Sequence, residues 1–289
     1  GNANVGQKDI VTMINEMPKP HQKLLAFNKI YYEINKKYGF KTANDWLKAE
    51  WDGHLYMHDG NTTSFVHYCF AYDLKDLAEK GLFFIENFNA EPPQHLDTFV
   101  DFVKEFVSWT CNRSSGAVGL PNLIPYMYYF WRKDIAENYF TRSPRLYAEQ
   151  QIQRLIYALN QPFLRGGIQS AFTNTSVFDH EYLEALFGGS EFPDGTFMID
   201  EIDGIMDFQK IYLETMSAIR SKNMMTFPVN SISLVKKDGK FLDEDFARYA
   251  CEHNMKWCDS NLFVDDSVTS LSNCCRLKSN IEDLGYFNS

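Results

Sequence analysis

The chain is 289 residues long and carries 28 Lys and Arg against 38 Asp and Glu, a formal net charge of −10; this excess of acid excludes a protein that holds nucleic acid by bulk electrostatics. Hydrophobic residues make up 45% of the chain and aromatics 16%, with 24 Phe and 16 Tyr, which is ample apolar surface for a large core and no signature of disorder. No apolar run approaches the ~18–20 residues of a membrane span, and Gly1 to Met13 lacks a signal peptide's charged-then-apolar layout, so a cytoplasmic protein with no membrane and no nucleic-acid partner is expected.

Taken in order, residues 20–37 place Leu24, Leu25, Phe27, Ile30, Tyr31 and Ile34 at helical spacing with Gly39 as a stop. A second helix over residues 42–51, N-capped by Thr42 and followed by Gly53, leads into a short extended piece and turn at residues 54–60. Residues 62–72 are β-branched and aromatic, with Phe65, His67 and Cys69 on one side of an extended chain, and read as a buried strand. Helices follow at residues 74–80, 95–111 and 145–159. Two glycine-bearing, hydroxyl-rich stretches, Ser114-Ser-Gly-Ala-Val-Gly-Leu-Pro and Arg165-Gly-Gly-Ile-Gln-Ser-Ala-Phe-Thr-Asn-Thr-Ser, read as lead-ins to strands that line a site. A helix at 208–222, a strand at 226–235 closed by the turn 237–240, and a helix at 243–257 complete the pattern. Strands alternate with helices, which predicts an α/β fold with a largely parallel sheet, and no linker or charge block divides residues 1–289 into domains.

Six cysteines are too few for a secreted disulfide scaffold and none stands in a C-x-x-C pair, so reduced thiols are expected. Cys251 and Cys258, seven apart beside Ala250 and Trp257, read as core packing, as does Cys111. His54 and His58 stand four apart near Asp52 and Asp59, but Leu55 sits where a helical zinc motif needs Glu and Gly53 and Gly60 oppose a helix, so no metal is assigned and hydrogen bonding to a substrate or a turn is the reading. The adjacent pair Cys274 and Cys275, followed by Arg276 in a polar stretch, is an oddity, because a guanidinium beside a thiol can lower its pKa or hold an anion nearby, although two adjacent cysteines in a loop are more often structural than catalytic.

The run Leu271-Ser-Asn-Cys-Cys-Arg-Leu-Lys-Ser-Asn-Ile-Glu-Asp-Leu-Gly-Tyr-Phe-Asn-Ser289 resembles the finger-loop region of the anaerobic (class III) ribonucleoside-triphosphate reductases, which are glycyl radical enzymes. Gly1-Asn-Ala-Asn-Val5, Gly53-His-Leu-Tyr-Met-His-Asp59, Tyr68-Cys-Phe-Ala-Tyr-Asp-Leu74, Gly167-Ile-Gln-Ser-Ala-Phe-Thr-Asn-Thr-Ser176 and Glu252-His-Asn-Met-Lys-Trp257 agree with it, so the resemblance spans the whole chain. It implies part of a ten-stranded α/β barrel, the first half plus a cysteine finger loop, with Cys275 as the thiyl that removes the ribose 3′ hydrogen. Cys69, on an early strand at the other face of the sugar, matches the thiol that delivers hydrogen to C2′, and Cys274 would be a third active-site thiol. His58 and His54 are expected to face or brace the same cavity.

Family chains are longer, with an ATP cone in front and, near the end, a glycyl-radical loop preceded by zinc-binding cysteines. The resemblance therefore implies a glycyl radical held in sequence outside this chain, made by an S-adenosylmethionine-dependent iron–sulfur activase, and a fragment that does not turn over alone. It also implies ribonucleoside triphosphate substrates, dNTP and ATP effectors and a homodimer. Formate-using members carry Met near the loop thiol and Asn before the strand cysteine; Cys274 and Tyr68 here favour a redoxin as reductant over formate. The alternatives are a non-catalytic nucleotide-binding or assembly segment of a split reductase, another glycyl radical enzyme such as formate acetyltransferase, whose cysteine pair precedes an apolar turn rather than Arg-Leu, and a metal hydrolase using His54 and His58.

Overall fold

The computed structural model describes residues 10–57, 60, 69–83, 89–268, 270–272 and 278–280. In chain order it runs α1 (Ile10–Glu16), α2 (Lys19–Tyr38), α3 (Phe40–Trp51), β1 (Phe70–Ala71), α4 (Lys75–Lys80), α5 (Leu96–Thr110), β2 (Val118–Leu120), α6 (Leu123–Ala136), α7 (Pro144–Leu159), β3 (Thr173–Phe178), α8 (His180–Phe187), a 3-10 turn (Met198–Glu201), α9 (Ile202–Arg220), β4 (Val229–Lys237), β5 (Lys240–Phe241), α10 (Glu244–Trp257), β6 (Ser260–Asp265), β7 (Ser270–Ser272) and β8 (Lys278–Asn280). Strands β1, β2, β3, β4 and β6 pair side by side in that order, all parallel. Strand β5 turns back on the end of β4, and β7 pairs antiparallel with β8. The expected α/β class with a parallel sheet is what the chain adopts; closure of ten strands into a barrel reaches beyond the described residues.

Sheet order equals chain order, so every parallel connection is a crossover to the next strand, and right-handed crossovers put their helices on one face. That face is apolar. Val118 and Leu120 of β2, Val177 of β3 and Ile232 and Leu234 of β4 are buried there with Phe99 and Val103 of α5, Leu155 and Ile156 of α7, and Phe208, Tyr212 and Leu213 of α9. Each such side chain contributes about 1.5–3 kcal/mol over leaving it in water. Helix α9 packs closely on α6 because residue 204 is glycine: a Cβ there would lie 2.1 Å from Tyr128 Oη.

The helices begin where polar side chains satisfy their free amides. Ser143 accepts from Leu146 N at 3.3 Å ahead of Pro144, and Asp243 accepts from Phe246 N at 2.9 Å. Thr42 is not the cap it was expected to be: α3 starts at Phe40 straight after Gly39, whose φ of +87° makes the tight corner, and the Thr42 hydroxyl donates back to Tyr38 O. Cys111 is buried as expected, but Cys258 is exposed, because α10 ends at Trp257 and Cys258 takes a left-handed conformation that turns it off the packed stripe. The strand expected over residues 62–72 lies mostly outside the described residues, with β1 as its end.

Asp179, at the junction of β3 and α8, ties the two sides of the connection together. Its Oδ1 accepts from Tyr182 N at 3.0 Å and its Oδ2 from Val235 N at 2.6 Å, so one buried carboxyl caps α8 and satisfies a β4 amide. Burial pushes this carboxyl above its ordinary range against the pull of those two amides. Asp179→Ala removes a cap, worth about 1 kcal/mol, and strands a buried amide, worth about 1–3 kcal/mol. Urea unfolding should show a loss of about 2–4 kcal/mol, and a loss within error of an exposed helix-surface substitution such as Glu33→Ala would refute the tie.

Candidate active site

Parallel sheets buried on both faces usually read as continuous apolar runs, yet β3 begins Thr-Asn-Thr-Ser and β4 begins Val-Asn-Ser-Ile-Ser. Register sorts these residues. Thr175 faces the helices, where its hydroxyl bonds Tyr212 Oη at 3.1 Å and Asn230 Oδ1 at 3.1 Å. Asn174, Ser176, Ser231, Ser233 and Asn261 alternate onto the opposite face, with Gly119 beside them on β2. Asn174 Nδ2 donates to Val229 O at 2.8 Å and Ser231 Oγ at 2.9 Å. Among the described residues, the buried Oγ atoms of Ser115 and Ser233 have no hydrogen-bond partner. A hydroxyl left so is uncommon enough to need a reason, and a wall of small neutral donors and acceptors is suited to a polar ligand.

By the same alternation Cys69, one residue before β1, belongs to this polar face. Its half-buried sulfur accepts from Ala117 N at 3.1 Å. The turn that presents Ala117, residues 114–117, is held by Arg165, whose Nη2 donates to Ser114 O at 2.9 Å. Both stretches expected to lead into site-lining strands therefore do lead into β2 and β3, at the end of the sheet where Cys69 lies. At the other end Tyr182 of α8 stacks on Phe178, with ring centroids 5.8 Å apart, and its hydroxyl donates to Asp265 Oδ2 at 3.3 Å.

Of the other residues singled out from sequence, His54 is exposed in the turn that ends α3, its backbone N–H bonded to Ala49 O at 2.8 Å. His58, Cys274 and Cys275 lie outside the described residues. Strands β7 and β8 flank residues 273–277, and β7 touches β4. Sequence reasoning missed Ser231, Ser233 and Asn261, because which alternate residue of a polar strand shares a face with Cys69 depends on register with neighbours far away in the chain.

A parallel sheet with an apolar helix-covered face and a cysteine on its polar face defines an α/β protein whose site is suited to thiol chemistry on a polar ligand. The family model for anaerobic ribonucleoside-triphosphate reductase matches residues 15–288, and the chain belongs to that family. Among solved structures it is similar to the anaerobic ribonucleotide reductase from Thermotoga maritima with dATP bound in the specificity site, at 42% identity and a TM-score of 0.80, covering 90% of this chain and 44% of that one. The same enzyme in complex with dATP and CTP matches equally, and its form with glycerol in the active site gives a TM-score of 0.79, covering 90% of this chain and 42% of that one. The chain thus spans under half the length of the solved structures it matches. A search of the curated proteins gave no match. No helix among the described residues is long and apolar enough to cross a membrane.

Two side-chain clusters away from this face resemble functional sites and have structural roles. His95, Asp134 and Glu137 approach one another closely enough for a metal, but both oxygens of the buried Asp134 are already engaged: Oδ1 by His95 Nδ1 at 2.7 Å, Oδ2 by Leu96 N at 2.9 Å and by Tyr147 Oη at 3.0 Å. The carboxylate ties the start of α5 to α6 and α7. Ser217, His253 and Asp259 carry the residue types of a hydrolase triad in the wrong order, since Ser217 Oγ donates directly to Asp259 Oδ2 at 2.8 Å and His253 meets both partners through Nε2. Arg220 completes the cluster, donating to the carbonyls of Met225, Thr226, Pro228 and Asp259 and so fixing the starts of β4 and β6.

Burial raises the Asp259 carboxyl, but hydrogen bonds from His253 and Ser217 and the Arg220 guanidinium together outweigh it and hold the group below its ordinary value of 3.8. A folded value below the unfolded one stabilises the fold at neutral pH, and that contribution is lost as pH falls through about 4 toward the folded value. Asp259→Asn should cost about 2 kcal/mol at pH 7 and flatten the loss of stability between about pH 5 and pH 3. Urea midpoints measured across that range decide it; identical pH dependence in variant and wild type would refute the assignment.

Proposed function

We propose that this chain supplies the thiol-bearing first half of the catalytic barrel of an anaerobic ribonucleoside-triphosphate reductase, which converts ribonucleoside triphosphates to 2′-deoxyribonucleoside triphosphates. The observation that carries the reading is the placement of Cys69, the expected hydrogen donor, on the same face of the sheet as Gly119, Asn174 and Ser231. Related structures hold glycerol or citrate in the active site, small polar molecules of the kind such a wall accommodates. The outer edges of β1 and β6 pair with no strand among the described residues, which supports a second set of strands completing a ten-stranded barrel around this face.

In this reading hydroxide leaves the ribose C2′ only after hydrogen abstraction at C3′, since it is a poor leaving group from an unactivated carbon. Cys275, as a thiyl, removes the 3′ hydrogen and later returns it. The 2′-hydroxyl is protonated and departs as water, and Cys69 delivers hydrogen to C2′. Two electrons are needed in all; Cys69 and Cys274 supply them on closing to a disulfide, which a redoxin reopens, whereas with formate as reductant that disulfide is not required. His58 and His54 bind or brace the substrate, with no metal at these histidines.

The polar wall and the Cys69 sulfur fit the thiol side of this chemistry. The glycyl radical supplies the oxidising equivalent when present. It belongs, with the zinc site, to a part of the relatives that this chain does not span, and is generated by an iron–sulfur activase using S-adenosylmethionine. Effector control by dNTP or ATP, a homodimer and a cytoplasmic location complete the reading; the dATP-bound Thermotoga maritima structure supports the effector part.

The test is anaerobic assay of triphosphate reduction by the full reductase containing this chain, with activase and reductant. Cys275→Ala and Cys69→Ala should each lower turnover by at least about a thousandfold, whereas Cys274→Ser should abolish redoxin-supported turnover and spare formate-supported turnover. The isolated chain should form no deoxynucleotide. Retained activity in Cys275→Ala would overturn the thiyl assignment, and an inactive wild-type reductase would favour a non-catalytic nucleotide-binding or assembly segment.

A further inference from the structure

The chemistry above leaves Arg165 without a task, although its loop is built around it. Its guanidinium carbon lies 4.7 Å from the centroid of the Phe172 ring, and its Nη2 reaches across 51 residues of chain to Ser114 O. Its backbone N–H pairs with Gln169 O at 2.9 Å. From the other side Asn112 locks the loop, accepting from Gly166 N at 2.7 Å and donating to Leu164 O at 3.1 Å. Phe172, under the guanidinium, accepts the Val118 amide at 2.7 Å, so the Arg165 side chain touches the segments before both β2 and β3. The turn it holds ends at the amide that meets the Cys69 sulfur.

We propose that Arg165 is a positioning residue for Cys69: by gripping the Ser114 carbonyl and the Phe172 ring it fixes the 114–117 turn, so that the Ala117 amide stays aimed at the sulfur. A planar guanidinium can stack and donate at once, which an ammonium cannot; this is the reason for arginine at the position. An amide held against sulfur restricts the directions from which the thiol can give up its hydrogen and favours its deprotonated form over the neutral one. The consequence for catalysis rests on the reading of Cys69 as the reductive thiol, but the positioning itself is a property of this chain.

The experiment follows alkylation of Cys69 by iodoacetamide, site by site with mass spectrometry, across about pH 6 to 10 in the full-length protein, as wild type, Arg165→Met and Arg165→Lys. The pH midpoint for Cys69 should rise in Arg165→Met, slowing alkylation about three- to tenfold at the wild-type midpoint, with Arg165→Lys between the two. Cys111, buried and with its thiol pushed up to about 11 by that burial, should stay unreactive in folded protein and so reports any unfolding. An unmoved midpoint in folded Arg165→Met overturns the proposal, and so does a faster limiting rate with an unmoved midpoint, which would mean that the arginine only restricts access. If Cys111 shows that Arg165→Met does not fold, hydrogen exchange decides: the Ala117 amide should exchange faster in Arg165→Lys than in wild type, and unchanged exchange overturns the proposal. None of these readouts needs turnover, so a failed reductase assay leaves them intact and their failure leaves that assay untouched.

Discussion

A parallel strand can pair with its neighbour only after the chain has returned to the end where it began, and in this sheet every return takes the next place in order. Because such crossovers share one hand, the helices that make them are laid on a single face, and α5, α7 and α9 pack in sequence there. Hydrophobic stabilisation is thereby concentrated on that side. The opposite face, where α8 covers the carboxyl end through Tyr182 on Phe178, carries Gly119, Asn174, Ser176, Ser231 and Cys69 over the rest, residues that would be poor choices for a core buried against helices.

Polar strands are costly to bury unless their groups are bonded, at about 1–3 kcal/mol for each one left alone. The protein offsets much of this locally. Thr175 is satisfied by Tyr212 and Asn230 on the helix face, Asn174 by Ser231 and the Val229 carbonyl on the other, and the ends of Phe178 by the Gln209 side chain, which donates to its carbonyl and accepts from its amide. Four buried polar atoms without a hydrogen bond among the described residues, the hydroxyls of Ser115, Ser233 and Thr173 and the amide nitrogen of Asn230, lie in and beside this sheet. Local rules tend to be broken where function demands it, and here the breaks coincide with the strands around Cys69.

Much of the helical layer was legible in the sequence. Stripes such as Phe99, Val103 and Val107 on α5 or Phe208, Tyr212 and Leu213 on α9 repeat at three and four residues because only one side of each helix meets the sheet. Helix α6 was not legible: residues 123–130 are all buried, so no polar side marks the period. The α8 cap at Asp179 was equally hidden, since its second bond goes to Val235, 56 residues on. Cys69 was singled out only through resemblance to a family, as nothing in the composition around it separates it from a packed thiol. The hydroxyl-rich stretch 165–176 did announce its character, but its division into a helix-facing Thr175 and an Asn174 and Ser176 on the same face as Cys69 is set by register, which single-sequence periodicity does not contain.

In open parallel sheets a ligand usually binds in the crevice beyond the carboxyl ends of the strands. That position is closed here. Helix α8 follows directly from β3 and contacts β3 and β4; Tyr182 covers Phe178 and reaches Asp265, and Asp179 joins the same end to Val235. The chemistry-bearing groups, Cys69, the 114–117 turn and the Arg165 loop, lie instead toward the amino ends of the strands and on the face away from the helices. A ligand that meets them must lie against the sheet rather than at its edge. Asn174, Ser176, Ser231 and Ser233 on that face are already buried in this chain, so the polar wall is shielded from water as it stands, and the plugged carboxyl end leaves the amino ends of the strands, with the half-buried Cys69, as the side from which a ligand would meet it.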